Sequence, residues 1–299
     1  MIALPRKLHG LASGENAAPE SADWTIPQKW TSYTEQEHAT WQTLFERQLQ
    51  LLPGRACDEF VTGMRALPMG ARRIPDFEAL SEVLMRHTGW QVVAVPGLVP
   101  DEVFFDHLAN RRFPSGRFIR PPEQMDYLEE PDVFHDVFGH VPMLLNPVMA
   151  DFVQAYGQGG QRAVRLGMLP LLARVYWYTV EFGLIQQHDG LRLFGAGIAS
   201  SYTESMFSLH DPSPHRIAFE LERVMRTRYR IDDFQECYFV LDKLDDLLAL
   251  AEVDFEPIYR RVAGLTLLGP GQLCLGDRIL GRGTGQYHQA RLMGAKDAI

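Results

Sequence analysis

The chain has 299 residues, 29 Lys+Arg against 38 Asp+Glu, a formal net charge of −9, 46% hydrophobic and 11% aromatic residues, and three cysteines, Cys57, Cys237 and Cys274. The acidic balance excludes a nucleic-acid surface as the main task, because that affinity rests on clustered Lys and Arg, and the composition is not that of a disordered chain. Three cysteines without a CxxC pair exclude a disulfide framework and fit a reducing cytoplasm.

The first residues carry no apolar stretch long enough for a signal peptide. The most apolar later segment, 168–185, is interrupted by Pro170, Arg174 and Glu181. It falls short of the ~18–20 apolar residues of a membrane span, so a soluble chain is expected. Residues 1–30 mix Gly, Ala, Ser and Pro without periodicity and read as an extended arm. Thr34-Glu35-Gln36-Glu37 has the form of a capping box. Trp41, Leu44, Phe45, Leu49 and Leu52 follow at helical spacing, which predicts an amphipathic helix over 35–52 ended by Pro53-Gly54. Helices are predicted over 55–66 and 76–87, a strand over 91–95, and a helix from Pro100-Asp101 through Leu108. Further helices are predicted over 130–138, 147–157, 168–187, 200–209 and 214–227. A short strand at Cys237-Tyr238-Phe239-Val240 and a helix to about 251 follow, and the Gly-rich remainder is weakly patterned. No internal repeat or clear linker is found. The expectation is a mainly α fold with short β-strands: one domain over 31–260, an arm over 1–30 and a tail over 261–299.

The most informative stretch is Glu130-Pro131-Asp132-Val133-Phe134-His135-Asp136-Val137-Phe138-Gly139-His140-Val141-Pro142. On a straight α-helix, residues five apart diverge by about 140°. The two imidazoles therefore face one point only if the helix ends between them, and Gly139 suits a left-handed C-cap with Pro142 beyond it. By itself such a pair more often describes two satisfied polar residues than a metal site. Glu181 is a lone carboxylate in the apolar run Val175–Ile185. A buried carboxylate must be protonated, paired or metal-bound, so Glu181 is either the partner of a distant arginine or a third ligand. Two neutral histidines and one carboxylate suit non-haem Fe(II), and a hydrolytic zinc site uses the same residue types. Spacing does not choose the metal. The HExxH pattern is absent.

Three motifs in this order and spacing resemble the catalytic domain of the pterin-dependent aromatic amino acid hydroxylases. They are EPDxxHxxxGHVP from Glu130, YWxTVEFGL from Tyr176, and Gly195-Ala196-Gly197-Ile198-Ala199-Ser200-Ser201. The resemblance runs from about residue 90 to 250, more loosely back to about 30, and looks nearest to the short bacterial members that hydroxylate phenylalanine. It implies a single aromatic amino acid hydroxylase catalytic domain that holds Fe(II) through His135, His140 and Glu181. It implies tetrahydrobiopterin or a related tetrahydropterin as two-electron donor, O2 as oxidant, and a ferryl-oxo electrophile that converts L-phenylalanine to L-tyrosine. Another aromatic amino acid as substrate, or a zinc hydrolase at the same triad, are the alternatives.

On the substrate side the resemblance implies Arg120, Tyr127, Asp132, Trp177, Ser200 and Ile231. Arg120 would grip the substrate carboxylate and Asp132 would orient that arginine. Tyr127 would lie near the substrate, Trp177 would flank its ring, and Ser200 would hydrogen-bond a ligating histidine. For the pterin it implies the Gly97-Leu98-Val99 loop and Phe104, with Asp136 and Tyr176 lining the same cavity. Read without the resemblance, Arg120 is a solvated cation of a basic stretch, Asp132 a helix N-terminal acid, and Phe104 and Trp177 core residues. Leu128 stands where animal members carry a threonine, which bears on amine recognition. Trp177 and the apolar Ile231 favour phenylalanine over tryptophan and tyrosine, although apolar pockets reject an added hydroxyl only weakly. No leucine-heptad helix follows residue 250, so a monomer is expected, without nucleic-acid or membrane partners and functionally linked to pterin-recycling enzymes. The other histidines (His9, His38, His87, His107, His188, His210, His215, His288) read as surface or satisfied residues.

Overall fold

Thr34 begins the first helix as its sequence predicts. In the structure, a computed structural model that describes residues 21–126 and 130–294, the Thr34 hydroxyl accepts the Glu37 N–H and the Glu37 carboxylate takes the Thr34 N–H at 2.7 Å. Two orphan donors of the helix end are thereby satisfied. Helix α1 (Glu35–Leu51) buries Trp41, Leu44 and Phe45 on one face. Helices α2 (Asp58–Ala66) and α3 (Phe77–His87), strand β1 (Gln91–Val95) and helix α4 (Asp101–Ala109) follow in the predicted order. Residues 21–30 of the expected arm pack on this layer: the Ile26 N–H donates to the Ala94 carbonyl at 2.9 Å and the Trp30 indole to that of Ile74 at 2.7 Å. Residues 1–20, including His9, lie outside the described residues.

Strand β2 (Arg112–Gly116) pairs in parallel with β1 and was not predicted. Its sequence RFPSG contains the proline that usually argues against a strand, and the two-stranded sheet accepts it because β2 is an edge. Helix α5 (Pro147–Leu166) runs past the predicted end at 157. Gly157 and Gly160 look like a stop, yet a Cβ at Gly157 would lie 2.4 Å from the Ala109 nitrogen, and one at Gly160 would lie 2.1 Å from the Phe105 ring. These glycines serve the close crossing of α4 over α5.

The predicted helix over 168–187 is three pieces. Helix α6 (Leu169–Tyr176) widens into a π-helical segment, Trp177–Glu181, and the chain then turns at Gly183 into strand β3 (Leu184–Gln187). Strand β4 (Gly190–Leu193) returns antiparallel to β3. Helices α7 (Ala196–Ala199) and α8 (Tyr202–His210) follow. The predicted helix over 214–227 is instead strand β5 (His215–Ala218) and helix α9 (Leu221–Arg226). Glu220 separates them, its carboxylate capping the Arg223 N–H at 2.7 Å. Strand β6 (Cys237–Leu241) is buried along its whole length and pairs in parallel with both β3 and β5. Such a central strand reads as an unbroken apolar run.

Helices α10 (Asp246–Ala251) and α11 (Phe255–Val262), strand β7 (Ile279–Gly281) and helix α12 (Gln286–Gly294) complete the described chain. The segment after residue 260, expected to be a weakly patterned tail, is thus part of the packed structure. Strand β7 edges the five-stranded sheet, ordered β4-β3-β6-β5-β7. The nearly buried Arg223–Asp277 pair at 2.8 Å ties the segment to α9. Its order comes from pairing partners far away in sequence, which local patterning does not record. No helix among the described residues is long and apolar enough to cross a membrane.

Candidate active site

The two histidines converge by a different device from the one expected. Residues Phe134–His140 form a π-helix, and Gly139 does not adopt a left-handed φ. The i→i+5 closure of a π-turn is what brings residues five apart onto one face. Gly139 is small because α7 crosses it: a Cβ there would lie 2.8 Å from the Ala196 carbonyl oxygen. Glu181 ends the second π-helical segment. The His135 and His140 Nε2 atoms are 3.3 Å apart. Glu181 Oε1 lies 3.2 Å from His140 Nε2, and Oε2 lies 3.6 Å from His135 Nε2. All three ligand atoms fall within 4.8 Å of one another.

The protonation of His135 and Glu181 suits a cation. Burial pushes the His135 imidazole down to about 4. Burial alone would raise the Glu181 carboxyl, but the two imidazoles outweigh it and hold it down at about 2. A neutral imidazole at His135 and an ionised carboxylate at Glu181 are forms that a metal requires of its ligands. Ser200 sets the tautomer: its hydroxyl donates to the Ala196 carbonyl at 2.8 Å, and its oxygen stands 3.0 Å from His135 Nδ1. The ring therefore donates from Nδ1 and keeps its Nε2 lone pair toward Glu181 and His140. Three such ligands fit Fe(II) with positions left open, and the donor set by itself also accepts zinc.

Arg120 and Asp132 meet in a buried fork, Nε to Oδ2 at 2.8 Å and Nη2 to Oδ1 at 2.9 Å. Asp132 is 0% exposed and also accepts the backbone N–H groups of Arg120 at 2.9 Å and His135 at 3.0 Å. One carboxylate thus fixes both the arginine and the first turn of the ligand-bearing segment. Arg120 Nη1 also donates to the Met125 carbonyl at 3.3 Å. A guanidinium has five N–H donors, so the fork keeps donors for a second carboxylate.

Both the three ligands and Arg120 line one cavity of about 670 Å³, a size that takes a cofactor and a small substrate together. Trp177 forms part of the wall, stacked on Tyr229 at 4.1 Å and Phe182 at 4.7 Å. Its indole N–H donates to Gln235 Oε1 at 3.0 Å. Ile231 sits at the rim. Phe104, Asp136 and Tyr176 also line the cavity. Burial raises the Asp136 carboxyl to about 7, and it accepts the Gly116 N–H at 2.8 Å.

Leu98 and Val99 are not among the cavity-lining residues; Val99 is buried, and the Glu130 carboxylate takes a hydrogen bond from the Leu98 backbone. Tyr127 and Leu128 lie outside the described residues. Sequence reasoning missed Phe113, whose ring lies 4.9 Å from that of His140, together with Gln235, Glu204, Tyr287 and Arg291. None carries a motif of its own, and Tyr287 and Arg291 reach the cavity only through the tertiary fold.

The chain matches the profile of the biopterin-dependent aromatic amino acid hydroxylases over residues 22–254. It is 60% identical over 284 residues to a phenylalanine-4-hydroxylase of Caulobacter vibrioides, covering 94% of this chain and 97% of that one. It is 53% identical over 281 residues to the phenylalanine-4-hydroxylase of Chromobacterium violaceum, covering 94% and 93%. Among solved structures, the iron- and phenylalanine-bound phenylalanine hydroxylase from Chromobacterium violaceum superposes with a TM-score of 0.84 at 52% identity, covering 89% of this chain and 97% of that one.

Proposed function

The chain belongs to the family of biopterin-dependent aromatic amino acid hydroxylases, and from that premise we propose that it converts L-phenylalanine to L-tyrosine with O2 and a tetrahydropterin. The observation that carries this reading is the shared cavity, onto which open three metal-ligand groups and a buried guanidinium fork. His135, His140 and Glu181 hold Fe(II). Phe104, Asp136 and Tyr176 bound the space for the pterin. When bound, iron and tetrahydropterin supply the electrons and the O2 chemistry.

The residues of the chain do the rest. Arg120 grips the substrate carboxylate through the donors that Asp132 and Met125 leave over, and Asp132 fixes the direction of that grip. Trp177 bounds the ring on the metal side, at the start of the π-helical segment that Glu181 ends. Phe104, Phe113, Tyr176 and Trp177 exclude bulk water from the reacting face. Ile231 offers a phenol hydroxyl no partner, which supports phenylalanine as the substrate. In the same reading the chain works as a cytoplasmic monomer and depends on an enzyme that regenerates its tetrahydropterin; sedimentation tests the oligomeric part.

The test is anaerobic loading with Fe(II), then O2, tetrahydropterin and a mixture of phenylalanine, tyrosine and tryptophan, with products identified by mass. Tyrosine formed from phenylalanine, dependent on iron and pterin, is the expected result. Activity with zinc that ignores O2 and pterin would overturn it.

A further inference from the structure

Helix α12 lies beyond the part of the chain that matches the family profile, residues 22–254, yet two of its side chains, Tyr287 and Arg291, line the active-site cavity. Both converge on Asp233. The Tyr287 hydroxyl donates to Asp233 Oδ1 at 3.0 Å, Arg291 Nε stands 3.3 Å from Oδ2, and Arg291 Nη1 donates to the Tyr287 oxygen at 2.9 Å. The next residue, Phe234, stacks on Phe207 at 4.4 Å, with the Tyr287 ring edge-on to Phe207 at 5.2 Å. His288 Nε2 donates to the Phe234 carbonyl at 2.9 Å.

The held segment, 231–235, has no helix or strand of its own to fix it. It carries Ile231 at the rim and ends at Gln235, which is 1% exposed. Gln235 Oε1 accepts from the Trp177 indole at 3.0 Å and the Arg230 N–H at 3.1 Å, while its amide donates to the Arg230 carbonyl at 2.7 Å. A continuous chain of polar contacts and packing thus runs from α12 through Asp233 and Gln235 to Trp177. The helix is itself anchored to the sheet, because the Gly283 N–H donates to His215 Nδ1 at 2.8 Å and the Gly285 N–H to the Ser213 carbonyl at 2.9 Å.

We infer that α12 is a positioning element of the aromatic pocket: Tyr287 and Arg291 fix the 231–235 segment through Asp233, and that segment sets the place of Ile231 and of the Trp177 indole. The inference rests on the hydroxylase reading for what the pocket binds. Positioning residues act through near-ångström placement of the groups they support.

The test uses the full-length, Fe(II)-loaded chain and the variants Tyr287→Phe, Arg291→Ala and Asp233→Ala, with Arg291→Lys as the conservative control. KM is measured for phenylalanine and for tetrahydropterin, together with the ratio of phenylalanine to tryptophan turnover. The emission of Trp177 is read as the difference between each variant and the same variant carrying Trp177→Phe. Tyr287→Phe is expected to raise the phenylalanine KM roughly 5–10-fold, the effect of one lost hydrogen bond. It should shift Trp177 emission and leave the pterin KM and iron content unchanged. The double variant Tyr287→Phe/Asp233→Ala should be no worse than Asp233→Ala, because both remove one link, and Arg291→Lys should keep most of the wild-type KM. A phenylalanine KM and a Trp177 emission that stay at wild type in Tyr287→Phe and Arg291→Ala, even with a lower Tm, would overturn the inference and leave α12 as packing. A wild-type chain that hydroxylates no aromatic amino acid would instead overturn the hydroxylase reading, and the Trp177 emission would still decide whether α12 positions the indole.

Discussion

Ser200 Oγ and His135 Nδ1 stand 3.0 Å apart, and the serine proton is committed to the Ala196 carbonyl at 2.8 Å. The hydroxyl can therefore only accept from the ring. His135 is locked in the Nδ1–H tautomer, with its Nε2 lone pair aimed at the point that His140 and Glu181 share. Partners of this kind typically contribute 10–100-fold to metal affinity. Ser200→Ala should lower iron affinity by about that factor with the Tm nearly unchanged, as read by iron retention against a chelator. Wild-type retention would remove the serine from the metal site.

Arg120 and Asp132 separate two effects that a simple binding defect would merge. Arg120→Ala should raise the phenylalanine KM by tenfold or more with iron retained, because losing a charge-assisted fork costs about 2–3 kcal/mol. Asp132→Asn should raise KM as well and also loosen the iron, since the carboxylate holds the His135 N–H at 3.0 Å. It leaves the buried Arg120 charge uncompensated, which typically costs about 3–5 kcal/mol of stability. Steady-state kinetics, metal analysis and denaturant midpoints on the pair distinguish the two roles.

Glu204 gives a pH prediction with a definite sign. Burial raises its carboxyl from 4.5 to about 7, although the Tyr238 hydroxyl donates to it. The native chain then binds more protons here than the unfolded chain between these values. This contribution to stability is present in full at low pH and is lost as pH rises from 4.5 through about 7. Its size is on the order of 3 kcal/mol. Glu204→Gln should therefore be more stable relative to wild type at pH 8 than at pH 5 by an amount of that order. Parallel stability curves would show that Glu204 is ionised throughout.

Gly139→Ala tests the close crossing behind the metal site. The added methyl would meet the Ala196 carbonyl at 2.8 Å, and backbone has to move to admit it. Overpacking of this kind costs about 1–3 kcal/mol. Ser200 directly follows the displaced α7, so iron affinity should fall with Tm. A variant with lower Tm and wild-type iron affinity would show that α7 absorbs the strain without moving Ser200.

How far the sequence reached differs from residue to residue. The Thr34 capping box, the apolar stripe of α1 and the buried strand Cys237–Leu241 are local patterns, and periodicity or hydrogen-bonding chemistry within a few residues determines them. His135, His140 and Glu181 stood out too, as two histidines and a lone carboxylate in an apolar run, but their spacing left them open between satisfied polar groups and ligands, and only the family resemblance favoured the ligand reading. How they meet was not legible. Local propensity read a glycine C-cap, whereas the structure uses two π-helical segments whose widened turns are held by packing, against α7 at Gly139 in the first. The residues after 260 are only weakly patterned, yet they supply β7 to the sheet and Tyr287 and Arg291 to the cavity. Sequence by itself determined which helices could form, since that depends on side-chain type and short-range spacing, and its motifs singled out the side chains proposed for the chemistry. Only the tertiary structure decided the wider turns, the edge strand containing Pro114 and the C-terminal clasp on Asp233. Each of these is stabilised by contacts with segments remote in sequence, and a single local window contains none of those partners.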